Sequence, residues 1–206
     1  MQGRSGTGVI ALCVLLTLAA CAEPASAAAP AEPAPPAPVA PAPPAATPAP
    51  APPLVERARA YLGRPYAFGG RGKSLDCMGL VFLAWEDAGR GRWRKLSVNP
   101  TTLVSRASLG QPVPGVSPAA AAGLDLGALA PGDVLFLLGY DENPAEPALA
   151  TLAEGEAWVW HMGMYTGGGN FIVGDHYAGR VVEEPLLPYL ARHENYAGVY
   201  AVRPQG

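Results

Sequence analysis

The sequence predicts an α+β fold over residues 54–206, and three observations carry that expectation. Apolar residues at helical spacing stand at the start of the span. Short strand patterns crowd its end, and a glycine-rich hairpin turn joins two of them. Helices first and strands afterwards read as helices packed on an antiparallel sheet.

The elements follow in order. Leu54, Ala58 and Leu62 predict a first helix over 54–62, stopped by Gly63 and Pro65. Residues 63–76 form a Gly-rich loop. A second helix spans 77–89, and its run from Leu80 to Trp85 is apolar nearly all round, as in a buried central helix. Residues 90–130 are broken by Pro100, Pro112, Pro114 and Pro118, so irregular structure is expected, with one short helix near 101–108. Pro131-Gly132-Asp133 turns into a buried strand over 134–138. Residues 140–156 read as a surface excursion. A strand over 158–165 would place Trp158, Trp160, Met162 and Met164 on one face and Val159, His161, Gly163 and Tyr165 on the other. Residues 166–170 make the hairpin turn, 171–175 and 180–184 are strands, 185–193 is a short helical link, and 196–203 closes the sheet.

The first 53 residues belong to other business. Arg4 is the only charge before position 21, and Val9 to Ala20 is an apolar run too short to span a bilayer comfortably. It ends Leu18-Ala19-Ala20-Cys21, which resembles the lipobox of a bacterial lipoprotein. That resemblance implies cleavage before Cys21 and lipid on its sulfur and new amine. An ordinary signal peptide cut after Ala20, Ala22 or Ala27 is the plainer alternative. Ala22, not Asp, points by analogy to the outer membrane of a two-membrane cell, with the domain facing the periplasm. From Ala22 to Pro53 the chain is almost wholly Ala and Pro, a disordered spacer able to reach about 100 Å when extended. The organisation is therefore signal peptide 1–20, lipidated cysteine and linker 21–53, and working domain 54–206.

The charge balance is −3, and loss of Arg4 with the signal takes it to −4 (−3 − 1). No basic patch appears, so nucleic acid is an unsuitable partner. Of three cysteines, Cys13 leaves with the signal and Cys21 is lipidated, so Cys77 has no partner for a disulfide. It stands at the first turn of the second helix, where unpaired amides and the dipole favour an anion. His161 is the candidate base. Paired with imidazolium there, the thiol is expected to titrate at about 3.5–7.5. Gly79 and Gly163 are expected to let the helix and the strand approach closely. No spacing of a metal site occurs, and no cofactor is implied.

Five motifs fall in a telling order: Tyr61-Leu62-Gly63-Arg64-Pro65-Tyr66, Gly69-Gly70, Asp76-Cys77-Met78-Gly79-Leu80, Pro131-Gly132-Asp133 and His161-Met162-Gly163-Met164-Tyr165. Together they resemble the NlpC family of papain-like bacterial cell-wall endopeptidases. The resemblance implies a papain-like fold with Cys77 as nucleophile and His161 as base. It places Tyr66 and Asp76 at a cleft for peptidoglycan stem peptides, cleaved between γ-D-glutamate and a diamino acid. Three departures stand out. Met78 occupies the position of a serine that shapes the substrate pocket. Val173 falls where a gapless comparison puts the orienting polar residue, leaving Asp175 or His176 to serve through a bulge or a register slip. Residues 90–130 and 140–156 lengthen the separation of Cys77 from His161 and are expected to wall the cleft. Two alternatives remain: a related thiol amidase or acyltransferase on another envelope substrate, and a non-catalytic envelope binding lipoprotein. The sequence leaves the oligomeric state open.

Overall fold

The computed structural model of the chain describes residues 52–193 and 195–205. The signal segment, Cys21 and the linker up to residue 51 lie outside the described residues. Among the described residues there are four α-helices: α1 (Pro53–Arg59), α2 (Cys77–Asp87), α3 (Pro100–Ser105) and α4 (Leu186–Arg192). The strands are β1 (Gln111–Pro112), β2 (Ala119–Ala120), β3 (Val134–Gly139), β4 (Ala150–Leu152), β5 (Gly155–Gly167), β6 (Asn170–Asp175), β7 (Arg180–Pro185) and β8 (Gly198–Arg203). They form one antiparallel sheet in the order β1-β8-β3-β5-β6-β7, with β2 added to β8 and β4 to β5. The expected α+β architecture is the one observed. No described helix is long and apolar enough to cross a membrane.

Helix α2 begins where its sequence dictates. Asp76 is extended and its carboxylate accepts the Gly79 amide at 2.6 Å, an N-cap that fixes Cys77 as the first helical residue. The helix ends at Gly89, whose φ of 73° gives the left-handed turn that satisfies the last carbonyls. Leu80, Val81, Phe82 and Ala84 are fully buried, as expected of a central helix.

Both faces of the sheet are covered, which is why all six residues of β3 are buried. One face packs on α1, α2 and α3 through Val134, Phe136, Met162, Met164 and Ile172. The other packs on α4 and on the stretch from Val113 to Leu129, through Leu135, Leu137, Tyr165, Phe171 and Val173. The expectation for residues 90–130 is thus corrected in part. The stretch supplies the edge strands β1 and β2 and an apolar pad for the second face, and only its Val98–Pro100 corner reaches the cleft described below. Residues 140–156 likewise contain β4, which pairs with the early part of β5.

The strand facing expected for 158–165 is also corrected. Leu138 pairs with Val159 and Leu137 with His161, so Trp160 is an extra residue, a β-bulge. It shifts the alternation by one. Ala157 and Val159 share the α2 face with Met162 and Met164, whereas Trp160 is 46% exposed and donates from its indole to the Asp141 carbonyl. Gly163 and Tyr165 keep the opposite face, as does His161 by the same alternation.

The close approach of helix and sheet comes from another glycine than those expected. A Cβ on Gly174 would lie 2.8 Å from the Asp76 carbonyl oxygen and 3.1 Å from the Cys77 nitrogen. Only a glycine in β6 lets the start of α2 sit against that strand. A Cβ on Gly79 would strike the Gly70 carbonyl at 2.1 Å, so that glycine admits the Gly-rich loop, and Gly163 faces β6.

Candidate active site

Cys77 is partly buried at the mouth of a cleft with two lobes. The larger has a volume of about 680 Å³ and the smaller about 440 Å³. Cys77 and His161 line both, together with Asp76, Phe68 and Trp160. Sulfur and imidazole, 84 residues apart in sequence (161 − 77), therefore open on the same space.

The electrostatics of the pair differ from the sequence expectation. Burial pushes the Cys77 thiol up to about 12, and the Asp76 carboxylate adds to the rise. The Met162 and Met78 amides and Arg71 pull the other way and lose. A helix N-terminus contributes only about 0.3–1 kcal/mol to an anion, while loss of hydration shifts buried groups by as much as several pK units. Burial likewise holds the His161 imidazole down to about 4, against the pull of Asp175. Burial thus favours thiol and neutral imidazole over thiolate and imidazolium. The Nε2 of His161 is buried with no hydrogen-bond partner among the described residues.

Of the two candidates for the third position, Asp175 is the buried one. Strand β6 runs without a bulge to Asp175, paired with Arg180 of β7. By period two Asp175 shares the face of Val173, which is buried in the second core. Asp175 is 3% exposed, and among the charges acting on His161 it is the strongest. Its Oδ1 accepts the Tyr177 amide at 2.7 Å, which fixes the carboxylate at the strand end. His176 is exposed, with its ring 6.4 Å from that of His161, edge to face. It lines the larger lobe without the strand register that orients Asp175.

Two residues expected to bind substrate have different surroundings. Tyr66 lines the larger lobe, with its ring 6.1 Å from His176 and its phenol pushed up to about 12 by burial and by Cys77 and Asp76. The Asp76 carboxylate is already occupied: it accepts Gly69 N at 2.9 Å and Gly79 N at 2.6 Å, and it pairs with Arg71. Asp76 therefore positions Cys77 by joining helix and loop. Met78 is buried and lines the smaller lobe.

Sequence reasoning missed the aromatic surround of His161. The Tyr196 ring lies parallel to the imidazole at 6.2 Å and Tyr189 at 6.4 Å. His193 packs between Tyr177 and Tyr189 at 4.4 and 4.5 Å. All three histidines of the chain line the larger lobe. Their clustering had one sequence signal, the density of Tyr and His between 176 and 196. Among the described residues no group of three or more His, Cys, Asp or Glu side chains is arranged to hold a metal ion.

No protein-family model and no curated protein matches the sequence. Solved structures do. An N-acetylmuramoyl-L-alanine amidase from Bacteroides uniformis superposes with a TM-score of 0.58 at 13% identity, over 75% of this chain and 98% of that one. The NlpC/p60 domain of the peptidoglycan hydrolase SagA matches with a TM-score of 0.45 at 21% identity, over 73% and 96%. An NlpC/p60 family protein from Bacillus cereus gives 0.46 at 25% identity, over 76% of this chain and 42% of that one. The amidase shares this chain's fold, and NlpC/p60 proteins stand among the structural neighbours.

Proposed function

We propose that this chain is a thiol hydrolase that cleaves amide bonds in peptidoglycan stem peptides. One observation carries the reading: Cys77, at the start of a buried helix, and His161, beside a buried aspartate, line the same cleft. A fold shared with a structure named as an N-acetylmuramoyl-L-alanine amidase supports a cell-wall amide as substrate class.

The chemistry follows from a neutral pair. Sγ attacks the amide carbonyl carbon while the thiol proton passes to His161. Asp175 stabilises the imidazolium that forms, as the orienting carboxylate of a triad does. The Cys77 amide, at the first helical position, has no intrahelical acceptor and serves the developing oxyanion. The leaving amine takes the proton from His161, and water releases the acyl group from sulfur. In this reading the Leu18–Cys21 lipobox anchors the enzyme to the outer membrane, and the Ala/Pro linker lets the domain reach the wall.

The test is Cys77→Ala with purified muropeptides. Cleavage should fall by at least about 10³-fold while the melting temperature holds. Equal turnover by the variant would overturn the reading. The apolar smaller lobe favours a second reading, acyl transfer by the same thiol to another envelope acceptor. Acylation of Cys77 without stem-peptide cleavage would select it.

A further inference from the structure

The smaller lobe is built differently from the rest of the cleft. Its walls come from the two stretches that lengthen the chain between Cys77 and His161: Val98 and Pro100 on one side, Ala145 on the other. Its floor is Met78, Val159 and Met162. A clasp joins the two walls. Glu146 accepts the Thr101 amide and hydroxyl, each at 2.9 Å, and the Asn143 side-chain amide at 3.3 Å.

The polar side chains around this lobe are turned to the protein's own partners. Asn99 Oδ1 accepts Thr102 N at 2.8 Å, and Asn143 Oδ1 accepts Ala145 N at 3.1 Å. Arg71 donates to the Gly70 carbonyl and pairs with Asp76. Apart from the reacting pair Cys77 and His161, what faces the lobe is mainly hydrocarbon, thioether and indole. Its rim also holds exposed apolar surface. Of the six large hydrophobic residues left exposed among the described residues, Phe68 (94%), Val98 (68%) and Trp160 (46%) line this lobe. Exposed apolar residues gathered at one cleft mark a binding surface.

We infer that the smaller lobe is a specificity site for an uncharged aliphatic portion of the substrate, held beside the carbonyl that Cys77 attacks. The inference rests on Cys77 being the reacting thiol and adds which chemistry lies next to it. A cationic group must give up its hydration there, and the Asp76 and Glu146 carboxylates already hold donors of the protein itself. An aliphatic group loses water on entry and gains for each methylene buried.

The test is a series of N-alkylmaleimides on the whole protein, read at the Cys77 peptide by mass spectrometry. In each, Sγ bonds one ring alkene carbon and the thiol proton ends on the other, so no catalytic turnover is needed. Rates are divided by those of glutathione with the same reagent. N-hexylmaleimide should label Cys77 at least about tenfold faster than N-ethylmaleimide on that scale. N-(2-aminoethyl)maleimide should be slower than the ethyl compound. Val98→Asp, at an exposed position that tolerates polarity, should erase the advantage of the hexyl chain. Equal relative rates for hexyl and ethyl, or a preference for the ammonium reagent, would overturn the inference and leave Cys77 as nucleophile intact. Failure of Cys77→Ala to lose muropeptide cleavage would instead strike the proposed function.

Discussion

The two lobes of the cleft share Cys77, His161, Asp76, Phe68 and Trp160 and differ in the rest of their lining. The larger lobe is lined by groups that titrate or donate: Tyr66, His176, Arg192, His193 and Tyr196. The smaller is lined by Met78, Val98, Pro100 and Met162, with its carboxylates bonded internally. The contrast separates two tasks. The larger lobe gathers the base with His176, His193 and Tyr196 and can handle protons. Apart from the shared Cys77 and His161, the smaller is mostly apolar and selects by shape and desolvation.

Three changes test that division, in falling order of effect. The first strikes both lobes at once. Gly174→Ala forces a Cβ into the backbone at Asp76 and Cys77, so the helix start must shift. A misplacement of about 1 Å can cost about 10²-fold in rate, and muropeptide turnover should fall by that order. Unchanged kcat would mean that the helix start tolerates displacement.

The second strikes the base alone, through the carboxylate beside it. Asp175→Asn removes the strongest charge raising the His161 pKa, so the imidazolium loses its stabiliser. Turnover should drop at least about tenfold, while the relative rates of the maleimide series at Cys77 stay put. A change in those relative rates would show that the lobes are not independent.

The third is a pH profile. His161 is held down to about 4, so kcat/KM should rise through a single ionisation near that pH and stay level to pH 8. With Cys77 pushed up to about 12, no thiolate shoulder should appear between pH 6 and 8. Stability should follow the same groups. The depressed His161 binds its proton less well folded than unfolded, so stability is full above about 6.5 and falls as pH drops toward 4. The raised Cys77 does the reverse, with stability full below about 8.5 and falling as pH rises beyond it. Melting temperatures between pH 4 and 10 would check both arms, and a flat curve would contradict them.

Much of this was legible in the chain, and the exceptions have physical causes. Asp76, Cys77 and Gly89 mark the ends of α2, because capping chemistry is local. His161 and the strand ending at Asp175 follow from period-two patterns. The bulge at Trp160 left no trace, because one extra residue changes phase without changing composition. Period two already puts Asp175 on the face of Val173, and β6 reaches it without the bulge or slip that was expected. Gly174 could have been read, since a glycine between two strand residues signals a close neighbour. The thiol was misjudged for a different reason. Position along a helix can be seen in a sequence, whereas burial of the sulfur is a property of the packed whole.

The extra residue in β5 has a consequence for inheritance. Excising Trp160 would restore simple alternation, and every side chain on one flank of that point would swap sides. Either the imidazole would turn beneath α2, or Val159 and Ala157 would be expelled from the packing around it. A lineage could therefore keep every motif letter of this chain and still lose the facing of its base through a three-nucleotide deletion.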